Sequence, residues 1–111
     1  MAVFDLEGLL ERIGGDRGFL KVFVKRYIES TAELLGALDE GIRRGDGGEI
    51  HLKAHSIKGA AASIGAETTR AIAADMEARA KTGTLEGIRE LYRALEASFA
   101  AFRERAPGMA E

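Results

Sequence analysis

Hydrophobic residues recur every three or four positions along most of this chain, the spacing that places them on one side of an α-helix. β-Branched residues are scattered rather than alternating as they would in a strand. The pattern therefore predicts an all-α protein with five helices. We expect a short first helix from Leu6 to about Ile13, with Asp5 as its N-cap and Gly14-Gly15 at its end.

The second and third helices have recognisable start signals. Asp16 can cap a long second helix. Asp46 followed by Glu49 resembles a capping box, so a third helix should begin there, run to about Ile64 and be closed by Gly65. The hydrophobic stripe expected on the second helix consists of Phe19, Phe23, Tyr27, Leu34, Leu38 and Ile42.

A fourth helix is predicted from about Ala66 to Lys81, and a fifth should follow Thr84 as its cap and end at Ala106-Pro107-Gly108. Short connections between long amphipathic helices make neighbours antiparallel, so the last four helices should form an up-down four-helix bundle whose end the first helix covers. The buried stripe expected on the fifth helix is Leu85, Ile88, Tyr92, Leu95, Phe99 and Phe102.

Length and composition fit one domain spanning residues 1–111, with a core over about 4–104 and a loose tail at 106–111. Hydrophobic residues make up 46% of the chain, enough for a single core. The net charge is −2 and the basic residues are spread out, whereas nucleic-acid binders usually concentrate them.

Several classes of protein are disfavoured by what the sequence lacks. Without cysteine there are no disulfides or thiolate metal sites. No apolar run approaches the ~20 residues of a membrane span, and the N-terminus lacks the basic and apolar segments of a secretory signal. We therefore expect a soluble cytoplasmic protein that does not bind membranes.

The third helix presents an unusual polar face. At about 100° per residue, His55 lies roughly 160° around the helix from the apolar residue Ile57 and should point to solvent. The apolar spine of the third helix consists of Ile50, Ala54, Ile57, Ala61 and Ile64. The residues within about 60° of His55 are His51, Lys58, Gly59 and Ala62.

This face has the features of a phosphorylation site. A neutral imidazole is a nucleophile near neutral pH and can attack an acyl phosphate to give a phosphohistidine. Lys58 would place a positive charge near the phosphoryl oxygens. Gly59 would let a partner's active site close over the imidazole of His55, and Ala62 extends the same low profile.

These residues resemble the histidine phosphotransfer (HPt) family. His55-Ser56-Ile57-Lys58-Gly59, followed by Ser63-Ile64-Gly65-Ala66, is similar to its signature of His-x-x-Lys-Gly with a downstream Gly-Ala. Ser63 stands where many relatives have Asn, and Thr69 where Leu is common. The resemblance extends over about residues 4–104 and includes Phe4-Asp5, Arg12-Ile13-Gly14-Gly15-Asp16, Gly45-Asp46 and Met76-Glu77.

The resemblance implies a monomeric phosphocarrier of a two-component phosphorelay, phosphorylated on the Nε2 atom of His55. A receiver-domain aspartate or a sensor histidine kinase would donate the phosphoryl group, and a receiver aspartate would accept it. The chain would bind no cofactor, metal or nucleotide and would not itself be an enzyme. Mg²⁺ would be held by the receiver. Glu77 matches a position that hydrogen-bonds the inner nitrogen of the histidine in some relatives.

The partner is expected to dock across the exposed face of the third helix and the adjoining part of the second. The candidate docking residues are Leu52, Lys53, Ser56, Arg43 and Arg44, the basic ones facing an acidic receiver site. His51 lacks Lys-Gly at the motif's spacing, so we expect it to flank the site rather than to accept phosphate.

The sequence leaves two other classes of function open. The leading alternative is a noncatalytic helical-bundle interaction domain, which would be expected to have lost His55. A metalloenzyme or hydrolase is third: His51 and His55 are spaced to share a zinc ion, but no third ligand is evident. The acidic residues Asp75, Glu77, Glu86 and Glu90 are more typical of a solvated helix face than of acid–base pairs.

Overall fold

A computed structural model describes residues 6–110, and all five predicted helices are present in that range. They are α1 (Leu6–Arg12), α2 (Arg17–Arg43), α3 (Gly47–Ile64), α4 (Glu67–Lys81) and α5 (Ile88–Ala110). No strand occurs within residues 6–110, so the all-α prediction is confirmed. The predicted cap Asp5 lies outside the described residues. No helix in the described range is both long and apolar enough to cross a membrane.

Helices α2 to α5 form the predicted four-helix bundle. Each packs against its neighbour in the chain, and α5 returns to pack against α2, which closes the ring. The short turns between them reverse the chain each time, so neighbours are antiparallel. Helix α1 lies at the end of the bundle beside the α3–α4 turn: it buries Leu9, and a Cβ atom added to Gly65 would lie 3.6 Å from the Arg12 guanidinium.

Side-chain and glycine caps fix both ends of α3. The Asp46 carboxylate accepts a hydrogen bond from the Glu49 amide at 3.1 Å, which satisfies one of the free donors of the first turn. The reciprocal half of the predicted capping box is not formed, because the Asp46 amide donates to the Gly41 carbonyl at 2.9 Å instead. Gly65 ends the helix with φ +81°, a left-handed conformation that glycine adopts without strain.

The predicted hydrophobic stripe of α2 is wrong for one of its six residues. Tyr27 and Leu38 are buried, and Phe23, Leu34 and Ile42 are half-buried and pack against the core, but Phe19 is 51% exposed. The residues that α2 does bury are Leu20, Val24, Tyr27, Thr31, Leu35, Leu38 and Gly41. Both sets have helical spacing, and the positions of α3 and α5 decide which of them is covered.

Helix α5 differs from the prediction at both ends. It begins at Ile88, directly after Gly87 with φ +77°, so Thr84 is not its cap and Leu85 lies half-buried in the turn. The five helical members of its predicted stripe are buried: Ile88, Tyr92, Leu95, Phe99 and Phe102. The helix also continues past Ala106-Pro107-Gly108 to Ala110, because a proline removes one donor without forbidding helical dihedrals in the residues that follow. The looseness of the tail stays a prediction.

Two features of the interior bear on stability. Gly41 lets α2 approach α3 closely, since a Cβ atom there would lie 3.3 Å from the Glu49 Cβ. A group of hydroxyls lies between α2, α4 and α5. Thr69 Oγ1 and Ser98 Oγ are 2.9 Å apart, whereas within the described residues Tyr27 Oη and Thr31 Oγ1 are buried with no partner in good hydrogen-bond geometry. Burial raises the pKa of Tyr27 to about 12, and the nearby hydroxyls of Thr69 and Thr31 oppose this rise.

Candidate functional site

His55 lies in the middle of α3 on the surface of the bundle. Its side chain is 61% exposed, while Ala54 and Ile57 on the opposite side of the helix are fully buried. The helical period therefore places the imidazole outside the hydrophobic core, as the sequence indicated. The ring is open to another molecule.

Glu77 of α4 orients this imidazole. Its Oε2 atom lies 2.6 Å from Nδ1 of His55. An ionised carboxylate can only accept hydrogen bonds, so the ring hydrogen belongs on Nδ1 in the neutral form. The lone pair of the neutral ring is then on Nε2, which makes Nε2 the nucleophilic nitrogen.

Lys58 binds the same carboxylate from the next turn of α3. Its Nζ atom lies 2.5 Å from Oε1 of Glu77, whose side chain is only 14% exposed. The hydrogen bond from Lys58 lowers the pKa of Glu77 the most; burial acts in the opposite direction, and the bond to His55 lowers it further. Glu77 is therefore ionised at neutral pH. The ammonium that the sequence suggested for the phosphoryl oxygens is held beside the imidazole by this ion pair.

His51 is the third α3 side chain that faces Glu77. Its Nε2 atom lies 3.8 Å from Oε2, the oxygen that also accepts the hydrogen bond from His55. His51 is less exposed than His55, at 38% against 61% of the side chain. A single carboxylate on α4 thus gathers both imidazoles and the ammonium of the polar face.

The surface beside His55 is low, as the small residues of the motif suggested. A Cβ atom added to Gly59 would meet nothing within 4 Å, and Ala62 is exposed. The Ser63 hydroxyl donates to the Gly59 carbonyl at 3.1 Å, so the serine that replaces the family's asparagine is turned back onto its own helix. The Ser56 hydroxyl does the same with the Leu52 carbonyl at 3.2 Å.

The structure separates the predicted docking residues into two groups. Leu52, 52% exposed, and Ser56 flank His55 on α3, and Lys53 pairs with Glu49 on the side of α3 that faces α2. The arginines at the end of α2 are not brought to His55. Arg43 pairs with Asp39 at 3.1 Å, and that aspartate also binds Arg89 of α5, so Arg43 belongs to the α2–α5 side. Arg44 lies 3.8 Å from Asp46.

Sequence reasoning missed part of the exposed hydrophobic surface. The helical spacing predicts that Phe19 is part of the core, but it is 51% exposed, and Val22 one turn along α2 is 50% exposed. The rings of Phe19 and Phe23 stack with centroids 6.0 Å apart. The cluster of basic residues around them, Arg17, Lys21, Lys25 and Arg26, was the available signal that this part of α2 faces solvent.

Two of the acidic residues that could serve a metal site or hydrolysis, Glu77 and Asp75, form ion pairs in the structure. Among residues 6–110, no three His, Asp or Glu side chains are arranged so that they could hold a metal ion. The ammonium of Lys58 already occupies one oxygen of the carboxylate that joins the two histidines. Asp75, one of the acidic residues of the solvated face, pairs with Arg79 at 3.2 Å.

Comparison with known proteins agrees with this geometry. The family model described as Hpt domain matches residues 22–105, which is more than half of the chain. A crystal structure of histidine-containing phosphotransfer protein B from Pseudomonas aeruginosa PAO1 has the same fold, with a TM-score of 0.88 at 24% identity over 97% of this chain and 94% of that one. A comparison with curated protein sequences gives no match. The chain belongs to the Hpt family, the histidine-containing phosphotransfer domains that act as phosphotransfer modules of phosphorelays.

Proposed function

We propose that His55 is the residue on which this domain carries its phosphoryl group. The observation that supports this most is the 2.6 Å contact between His55 Nδ1 and Glu77 on a ring that is 61% exposed. One imidazole nitrogen is held by the protein, and the other is left to react. His51, whose Nε2 atom faces Glu77, does not offer the same combination.

The transfer step needs no base from this chain. The Nε2 lone pair of neutral His55 forms a bond to the phosphorus of an aspartyl phosphate on the partner. The bond from phosphorus to the aspartate oxygen breaks, and the carboxylate leaves with the electron pair. The hydrogen stays on Nδ1, so the ring becomes cationic, and the Glu77 carboxylate stabilises that charge. Donation to a receiver aspartate is the reverse of these steps.

The chain acts as a phosphocarrier rather than as an enzyme, with the remaining chemistry supplied by the partner. That partner is a response-regulator receiver domain, a sensor histidine kinase, or each in turn, and the Mg²⁺ ion belongs to the receiver. Leu52 and Ser56 would contact the partner protein around the imidazole, and Gly59 would leave room for the partner's active site. The domain would act as a monomer without a cofactor of its own.

A labelling experiment tests the assignment. The full chain is incubated with radiolabelled ATP, a histidine kinase and a receiver domain, and acid-labile label on the chain is measured. The unsubstituted chain should be labelled, with the phosphate on Nε2 of residue 55 by mass spectrometry. His55→Gln should abolish labelling, whereas His51→Gln should still accept phosphate. Equal loss in both variants would mean that the site is wrongly assigned, and a chain that no kinase or receiver labels would favour a noncatalytic interaction domain.

A further inference from the structure

A single carboxylate oxygen, Oε2 of Glu77, faces two imidazoles. It accepts the hydrogen bond of His55 Nδ1 at 2.6 Å, and His51 Nε2 lies 3.8 Å away. The carboxylate is mostly buried, at 14% exposure, so water competes weakly for it. Only the hydrogen bond to His55 is used in the proposed transfer step.

We propose that His51 is a positioning residue that sets the pH range of phosphoryl acceptance by competing with His55 for this oxygen. The inference rests on the proposed function of His55. A neutral His51 at 3.8 Å makes no hydrogen bond to Oε2 and leaves it to His55. A protonated His51 is attracted to the same oxygen and weakens the bond that orients the reacting ring.

Among the described residues, the other charged groups near His51 bind other atoms or face solvent. Lys58 binds Oε1, the second oxygen of the carboxylate. Lys81 lies one turn further along α4 on the same side and is exposed. On the opposite flank of α3, next to α2, Lys53 and Glu49 lie 4.0 Å apart and pair with each other. A proton on His51 therefore acts chiefly on the oxygen that it shares with His55.

Protonation of His51 opposes the transfer in a second way. The ring of His55 becomes cationic as the bond to phosphorus forms, and a positive charge one helical turn away disfavours that change. An imidazole ordinarily takes up a proton near pH 6.5. The chain should consequently accept phosphate more slowly at mildly acidic pH than the protonation of His55 alone would require.

The rate of acceptance from a small donor tests this without a docking partner. The full chain is phosphorylated with phosphoramidate between pH 5.5 and 8.5, and the initial rates of the His51→Asn variant and the unsubstituted chain are compared. After each rate is divided by the fraction of neutral His55 at that pH, the ratio of variant to unsubstituted chain should be about one at pH 8.5 and should rise to about threefold at pH 5.5, the size expected for one partly exposed charge. A ratio that does not change with pH overturns the proposal.

Glu49→Gln is the matched control. Glu49 lies on the same helix and its side chain is 38% exposed, the same fraction as His51, but it does not contact Glu77. Its rate profile should follow that of the unsubstituted chain. In a Glu77→Gln background, the further change His51→Asn should alter the pH profile less, because the charged oxygen is gone and only the repulsion between the two rings remains. An effect as large as that in the unsubstituted chain would contradict the shared-oxygen mechanism.

A second measurement does not depend on phosphate transfer. ¹⁵N NMR of the imidazole nitrogens gives, at each pH, the fraction of His55 that is neutral and the division of its single ring hydrogen between Nδ1 and Nε2. Within the neutral fraction, the share with the hydrogen on Nδ1 should fall as His51 is protonated in the unsubstituted chain and should stay constant in His51→Asn, and identical curves would overturn the proposal. If the chain takes up no phosphate on His55, the proposed function fails, while these curves still decide whether the two histidines are coupled. Circular dichroism confirms that each variant is folded.

Discussion

Lys58 and Glu77 face each other across the α3–α4 interface, with Nζ and Oε1 2.5 Å apart. The lysine belongs to the motif that carries His55, whereas the glutamate comes from the following helix. Because the same carboxylate also binds Nδ1 of His55, the ammonium and the imidazole are joined through one acidic group. The lysine therefore contributes to the site through Glu77 as well as through its own charge.

Replacing Lys58 should slow transfer without unfolding the domain. In Lys58→Ala, the Glu77 carboxylate loses its counter-charge and repels the incoming phosphoryl oxygens. The rate of phosphoryl acceptance should fall about fivefold, which corresponds to the ~1 kcal/mol typical of a partly exposed ion pair. Lys81→Ala, an exposed lysine on α4, is the control and should transfer normally. Unchanged kinetics in Lys58→Ala would remove the lysine from the mechanism.

The stability that the Glu77 ion pairs between α3 and α4 contribute to the fold should depend on pH. Lys58 and His55 hold the pKa of Glu77 below its ordinary value of 4.5. A lowered folded-state pKa contributes stability that is fully present above pH 4.5 and is lost as the pH falls through the lowered value. Urea unfolding of the unsubstituted chain and of Glu77→Gln should thus differ at pH 7 and converge as the pH falls below 4.5. A difference that stays constant as the pH is lowered would show that the charge of Glu77 does not stabilise the fold.

A large side chain at residue 59 should separate docking from chemistry. Nothing lies within 4 Å of a Cβ atom there, so Gly59→Leu should fold, and the change removes a helical glycine that costs about 1 kcal/mol. Transfer from a receiver domain should slow at least tenfold because the leucine obstructs close approach. Phosphorylation by phosphoramidate should change little. If the receiver transfers at the normal rate, its active site does not close over this part of α3.

The hydroxyl of Thr31 should be dispensable. It is fully buried near the Tyr27 hydroxyl, with no partner in good hydrogen-bond geometry among the described residues, so Thr31→Val removes a poorly satisfied polar group at almost constant volume. We expect the free energy of unfolding to rise by about 1 kcal/mol in urea denaturation. Thr69→Val is the comparison, because Thr69 is paired with Ser98, and it should lower that free energy by a similar amount. Destabilisation of both would indicate that Thr31 does have a partner.

The sequence was most informative where the signals are local. Asp46, Gly65 and the spine of α3 each depend on neighbours within a few residues, so the bounds of α3 and the exposure of His55 followed from the helical period alone. The start of α5 could not be located in this way. Thr84 is a residue type that commonly caps helices, but the helix begins after Gly87, whose positive φ sets the backbone direction. Residue type alone does not tell which of the two precedes the helix.

Contacts between helices were harder to predict. The hydrophobic residues of α2 cover a wide arc, and only the placement of α3 and α5 shows that Leu20 and Val24 are buried while Phe19 is exposed. In the same way, the period of α4 places Glu77 on one face of that helix but does not say which α3 side chains it meets. The resemblance to the Hpt family supplied the contact with His55. The shared contact with His51 came from the structure.

The two-residue turn at Gly65 and Ala66, which joins α3 to α4, confines the imidazole and its carboxylate to one helical hairpin. Helices α2 and α5 contribute no side chain to that contact. Substitutions on the outer surface of α2, including those at Phe19 and Val22, can therefore accumulate without altering the reactive ring.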